Sequence, residues 1–198
     1  MGSPGRRTEY LLSHTLARVK IAKVLGMKPQ DLPLVFENNA KPSTIHDPRS
    51  TNNWHLSLSH TSSLVAVALA PFPVGVDVEP IGRTKHIDDV ARKMFSPQEA
   101  DDIVSLAGDE KKLRFTRYWT LREAFYKMAG WPLGRMKQVN FQSVMSDASK
   151  RSDMSDKFPV KCFFSLTRPL PDHMMALAVL SPERWDVVEG EVTVDELG

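Results

Sequence analysis

A mixed α+β fold is what the sequence predicts, and three observations predict it. Two long stretches, Glu9 to Leu25 and Asp109 to Ala129, carry helical patterns, and each ends at a glycine. Short alternating or continuous apolar runs, separated by turn residues, mark strands between and after them. A pattern of serine, apolar run, proline and acidic residues in Ser59 to Glu79 returns in Ser165 to Glu189, ending there in Asp186-Val187-Val188-Glu189. The spacing does not hold throughout, so the echo is either chance or the trace of two related modules packed about a pseudo-twofold axis.

Each element follows in turn. In the first helix Leu12, Leu16, Ala17, Val19, Ala22 and Val24 recur at spacings near three and four before Gly26 stops it. Residues Lys28 to Asn53 hold Pro29, Pro33, Pro42 and Pro48, which predicts an irregular connection with one short strand around Leu34 to Glu37. Trp54 to Ala70 predicts two strands joined near Thr61-Ser62-Ser63, and Val74 to Glu79 a third, with a meander as the simplest topology. Ile87 to Met94 predicts a helix. Ser96-Pro97-Gln98-Glu99 opens another with a capping box, running to about Leu106. Beyond the helix of Asp109 to Ala129, strands are expected at Val139 to Val144, Val160 to Thr167 and Met174 to Leu180, with a polar loop from Ser146 to Lys157.

Composition bounds the function. Hydrophobic residues make up 41% and charged residues 25% of 198, the profile of a folded chain. The net charge of +2, from 26 basic and 24 acidic residues, gives no bulk argument for nucleic acid. One cysteine, Cys162, excludes an internal disulfide framework and suits a reducing cytoplasm. No apolar run reaches the roughly 18 residues of a membrane-spanning helix, and Met1 to Arg7 lacks a signal-peptide core.

Asp77-Val78-Glu79 closes an apolar strand. Residues two apart in a strand share a face, so both carboxylates project together. They are either a solvated acidic pair or ligands for a hard cation that relieves their repulsion. On the long helix, Tyr118, Leu121, Phe125 and Met128 form one face and Trp119, Glu123 and Lys127 the opposite one. A solvated stripe accounts for Glu123 and Lys127. Trp119 fits a stripe covered by another module or a ligand, which would put Glu123 and Lys127 in a cleft as third metal ligand and phosphate-binding cation.

Leu56-Ser57-Leu58-Ser59-His60-Thr61 sets Ser59 and His60 on opposite strand faces, so they do not form a nucleophile and base, and no Gly-x-Ser-x-Gly elbow exists. His60 is either a plain loop histidine or a phosphate donor at the rim of the same site. Lys41, beside Pro42, is either surface or a phosphate contact.

Taken in order, Ala40-Lys41-Pro42, Leu56 to Thr61, Gly75-Val76-Asp77-Val78-Glu79, Phe95-Ser96 and Trp119 to Lys127 resemble the successive motifs of the phosphopantetheinyl transferase superfamily, most of all its two-module type. The resemblance covers roughly residues 7 to 180. It implies two similar α+β modules related by a pseudo-twofold axis, residues 1–80 and 81–198, with the active site at their interface. It also implies a magnesium ion on Asp77, Glu79 and Glu123, and Glu123 helping to deprotonate the carrier serine. Lys127 would contact the phosphate under attack, while His60, Ser59 and Lys41 hold coenzyme A phosphates and Arg7 and Arg18 lie near the nucleotide.

The implied reaction moves the 4'-phosphopantetheine arm of coenzyme A to a serine of an acidic acyl or peptidyl carrier protein, by a cytoplasmic monomer that needs neither nucleic acid nor membrane. Alternatives of other classes are a metal-dependent phosphohydrolase using the same carboxylates and a non-catalytic carrier-binding module. Arg122 stands where many relatives carry lysine, and Ser57 where many carry asparagine. The chain begins almost at its first helix, so the first module is expected to be truncated at its N-terminal part. The segment Arg83 to Lys93, with Lys111, Lys112, Arg114 and Arg117, is expected to dock the carrier.

Overall fold

The computed structural model describes residues 4–32, 43–46, 53–61, 63–82, 84–131, 139–145, 152–153, 162–182, 186–188 and 190. Helix α1 spans Pro4–Leu25 and is stopped by Gly26 at φ +61°, a left-handed conformation that glycine adopts without strain. Its buried row is Ser13, Ala17, Ile21 and Leu25, one residue every four, joined by Ala22, while Val24 is 58% exposed. The apolar stripe is therefore rotated from the one the spacing predicts, because Ile21 rather than Val24 faces the sheet.

Strand β1 is Ser43–His46, and the strand expected around Leu34 to Glu37 lies outside the described residues. β1, β2 (Asn53–His60) and β3 (Val65–Ala70) form an antiparallel sheet in that order. Leu56 and Leu58 of β2, with Val67 and Leu69 of β3, pack against Ala17, Ile21 and Leu25 of α1. The alternate positions, Ser57 and Ser59 on β2 and Ala66 and Ala68 on β3, lie on the other face.

That other face meets β4 (Val74–Pro80), and here the meander expectation fails. β4 leaves the first sheet and becomes the edge of a second, antiparallel one, in which β7 (His173–Leu180) lies between β4 and β6 (Cys162–Thr167), with β5 (Ser152–Asp153) beyond. The physical reason is side-chain alternation. Val74, Val76 and Val78 bury one face against Ala66, Ala68 and Val179, which a strand lying edge to edge with β3 could not do.

The helices α2 (Ile87–Met94), α3 (Pro97–Val104) and α4 (Gly108–Ala129) follow. The capping box forms as predicted: Glu99 N–H donates to Ser96 Oγ, and Ser96 N–H donates to Glu99 Oε2 at 3.0 Å. α4 ends at Gly130, φ +64°, and buries Tyr118, Leu121, Phe125 and Met128 as expected, together with Phe115, Thr116, Thr120, Ala124 and Tyr126. It lies on β4 and β7, so it is covered along most of its circumference.

Three expectations near the C-terminal end are corrected. Val139 to Val144 is not a strand: Asn140 Oδ1 accepts the Gln142 N–H at 2.8 Å and starts a short helix α5, Gln142–Met145, while the Phe141 N–H goes to Glu99. Ser152 and Asp153, placed in a loop, pair with Phe164 and Phe163. Asp186 to Val188, the echo of β4, carries no strand, and Val188 is 96% exposed. No helix among the described residues is long and apolar enough to cross a membrane.

Candidate active site

Gly75, Asp77 and Glu79 share the face of β4 that looks at α4. A Cβ at Gly75 would sit 1.9 Å from the Ala124 carbonyl oxygen and 2.6 Å from the Met128 nitrogen. Only glycine lets the helix backbone come this close. That approach brings Glu123 and Lys127 of α4 beside Asp77, joining two motifs 46 to 50 residues apart in sequence.

Asp77 is 4% exposed. Its Oδ1 accepts from Ser59 Oγ and from Lys127 Nζ, each at 2.8 Å, while its Oδ2 is buried with no hydrogen-bond partner. Burial pushes the Asp77 carboxyl up, opposed by the Lys127 charge and by hydrogen bonds from Lys127, Ser59 and Val78. Lys127 also donates to the carbonyls of Val76 at 3.1 Å and Leu58 at 3.3 Å, tying α4 to β4 and β2 at once. Glu123 is raised to about 7, first by burial and then by the charge of Asp77, with Glu79 adding to it and Lys127 opposing.

A divalent cation fits this donor set by its chemistry. The donors are hard oxygens, Asp77 Oδ2 is a buried acceptor with no hydrogen-bond partner, and a cation would relieve the charge repulsion that adds to burial in raising Glu123. Among the described residues no group of three or more His, Cys, Asp or Glu side chains is arranged to hold a metal ion. Asp77, Glu79 and Glu123 are thus coupled through their charges without an assembled coordination shell.

Trp119 is half-buried, stacked on Phe115 with ring centroids 5.8 Å apart and edge-on to Phe95 at 6.2 Å. The cover expected from another module or a ligand is supplied for Trp119 by its own module, through Phe95 in the segment joining α2 to α3. Trp119, Phe115 and Thr116 line a pocket of ≈ 70 Å³ whose other wall includes Glu79 and Pro80.

Other site candidates fall as follows. Ser59 is buried at 7% exposure and spends its hydroxyl on Asp77 and on the Val78 N–H. His60 is exposed at the end of β2. Arg18 donates to the carbonyls of Pro29 and Leu32 at 3.1 and 2.9 Å, so it ties α1 to the turn that follows. Arg7 lies on α1, but its side chain, like the whole of Lys41 and Arg83, lies outside the described residues. Several cations expected to dock a carrier have acids beside them: Lys111 pairs with Asp88, Lys112 with Asp109, Arg114 with Asp102 and Arg92 with Asp101.

Two constellations were not foreseen. Arg122 is fully buried, pairs with Glu99, donates to the Val139 carbonyl at 3.2 Å, and lies between the rings of Phe95 and Phe141 at 4.7 and 5.2 Å. The capping-box glutamate was visible in sequence, but nothing there tells that its carboxylate reaches a residue 23 positions on. His173, buried at the start of β7, has Nδ1 2.8 Å from Asp172 Oδ1 and Nε2 3.3 and 3.2 Å from the hydroxyls of Thr61 and Ser63. This serine, histidine and aspartate do not make a hydrolytic site. The Ser63 and Leu64 N–H groups, which an oxyanion would need, donate to Thr61 Oγ1. The cluster clamps the β2–β3 turn to β7.

Residues 73–178 match the sequence pattern of the 4'-phosphopantetheinyl transferase superfamily. Similar curated proteins include the 4'-phosphopantetheinyl transferase HetI of Nostoc sp., 24% identical over 74% of this chain and 62% of the relative. They also include the 4'-phosphopantetheinyl transferase psf-1 of Bacillus pumilus, 32% identical over 63% of this chain and 50% of the relative. The 4'-phosphopantetheinyl transferase Sfp of Bacillus subtilis is 24% identical over 87% and 74%. Against the first two, the match spans only 62% and 50% of the relative's length.

Proposed function

The chain belongs to the 4'-phosphopantetheinyl transferase superfamily, and from that premise we propose that it transfers the 4'-phosphopantetheine arm of coenzyme A to a serine of an apo acyl or peptidyl carrier protein. The observation that carries this reading is the meeting of Asp77, Glu123 and Lys127 over Gly75, with Asp77 Oδ2 left without a partner. The relatives named above are all transferases, and none supports a phosphohydrolase or a non-catalytic binding module.

Asp77, Glu79 and Glu123 would hold magnesium, which when bound neutralises the coenzyme A pyrophosphate. Glu123, on the helix face turned toward Asp77, would take the proton of the carrier serine hydroxyl, directly or through water. The serine oxygen forms a bond to the phosphorus bearing the pantetheine arm as the bond to the bridging oxygen breaks, and adenosine 3',5'-bisphosphate leaves. Lys127 supplies positive charge beside that phosphate, exchanging part of its present hold on Asp77 for it. His60 at the rim and Lys41 hold further phosphates, with Arg7 and Arg18 toward the nucleotide.

Residues 1–80 and 81–198 are read as two modules about a pseudo-twofold axis. In support, α1 lies on β2 and β3 much as α4 lies on β4 and β7, with β4 crossing from residues 1–80 into the second sheet and the site where β2, β4 and α4 meet. The protein is taken as a cytoplasmic monomer serving an acidic carrier of fatty-acid, polyketide or peptide synthesis, independent of nucleic acid and membrane.

Incubating the protein with coenzyme A, Mg2+ and apo carrier should add one phosphopantetheine arm to the carrier, read by mass. Glu123→Gln should slow this by about 10²-fold or more while leaving the circular dichroism unchanged. No mass gain across several carriers would sink the reading.

A further inference from the structure

β4 is an edge strand, and edge strands carry unpaired backbone groups that must find partners. On its free edge the Val76 N–H donates to Ser57 Oγ at 3.0 Å and the Val78 N–H to Ser59 Oγ at 3.2 Å. The two serines are two apart on β2, as the two valines are on β4, so the strand period places one hydroxyl opposite each amide. Side chains thus replace a backbone ladder along the seam between the sheets, and Lys127 completes it by donating to the Val76 and Leu58 carbonyls.

The serines differ in one respect. A hydroxyl has one proton to donate. Ser59 gives it to Asp77 Oδ1 at 2.8 Å, so no proton remains for a phosphate oxygen, whereas Ser57 makes no contact with a site carboxylate among the bonds described. With Ser59 and Lys127 both on Oδ1, the rotamer of Asp77 is held and Oδ2 is the oxygen left over.

We infer that Ser59 is a positioning residue for the metal-binding carboxylate: its hydroxyl, anchored on the Val78 N–H, holds Asp77 so that Oδ2 faces an incoming cation. This assignment replaces the phosphate contact expected from the sequence, and it rests on the reading of Asp77 as a metal ligand. Ser57 is its internal control, since it caps the same edge without touching Asp77.

The test uses the full chain without coenzyme A or carrier and titrates Mn2+, a visible stand-in for Mg2+, by electron paramagnetic resonance. Ser59→Ala should raise the Mn2+ Kd by about 10-fold, the cost of losing a group that orients a metal ligand. Ser57→Ala should change it less than about 2-fold on the same grounds, and Ser59→Thr, which keeps the hydroxyl, should restore wild-type affinity. Should Ser59→Ala fail to fold by circular dichroism, Ser59→Cys, a weak donor, takes its place.

Equal losses in the Ser57 and Ser59 variants would overturn the inference by reducing Ser59 to an edge cap. So would an unchanged Mn2+ Kd for Ser59→Ala together with a raised coenzyme A KM in a separate transfer assay with carrier, which would return Ser59 to the nucleotide pocket. Failure of the wild-type chain itself to bind Mn2+ would instead overturn the metal reading, and the inference with it.

Discussion

Two carboxylate–cation pairs are anchored on the same helix, five residues apart, and they are built differently. Glu99 and Arg122 are both fully buried, and both oxygens of the Glu99 carboxylate are engaged: Glu99 accepts from Ser96 N–H, Ser96 Oγ, Arg122 and the Phe141 N–H, and Arg122 is packed between two rings. Asp77 and Lys127 are nearly as enclosed, but the network stops short, with Asp77 Oδ2 unpartnered and Glu123 raised beside it. A buried carboxylate with both oxygens engaged holds a fold together; one with an oxygen to spare can accept a further partner. Arg122 is thus bound into the scaffold, whereas Lys127 lies at the proposed site.

The largest expected effect tests the scaffold side. Glu99→Ala leaves a buried guanidinium unpaired and should cost about 3–5 kcal/mol of stability by denaturant unfolding. A loss below about 1 kcal/mol would put Arg122 back among the candidates for chemistry.

A smaller effect tests the site side through pH. Glu123 has a folded-state carboxyl raised from 4.5 to about 7, so the folded state binds the proton more tightly. Its stabilising contribution is fully present below pH 4.5 and is lost as pH rises to about 7. The metal-free protein should therefore lose stability across that window, with Asp77, also raised by burial, acting in the same sense. Glu123→Gln should make the slope shallower, and an unchanged slope would contradict the assigned burial of Glu123.

The smallest effect concerns the surface. Because Lys111, Lys112, Arg114 and Arg92 already have acids beside them, raising salt should lift the carrier KM by only about 2–3-fold. A KM insensitive to salt would remove this face from carrier docking.

Much was legible in sequence because local chemistry wrote it. The capping box at Ser96, the glycine stops of α1 and α4, and the buried face of Tyr118, Leu121, Phe125 and Met128 depend on neighbours within a few residues. The carboxylates of Asp77 and Glu79 could be put on one strand face by period alone. Where sequence failed, a distant partner decided. The Phe141 N–H was claimed by Glu99, so Val139 to Val144 did not extend, and Val24 lost its predicted place to Ile21 at the α1–sheet contact.

By itself, then, the sequence determined which residues could do chemistry and on which face of its own element each stands, since helix and strand periods are local. Only the tertiary structure decided that β4 crosses to a second sheet, that Gly75 lets α4 descend onto it, and that Ser59 meets Asp77. Those choices turn on the packing of valine faces and the pairing of buried polar groups far apart in the chain. No spacing along the sequence encodes them.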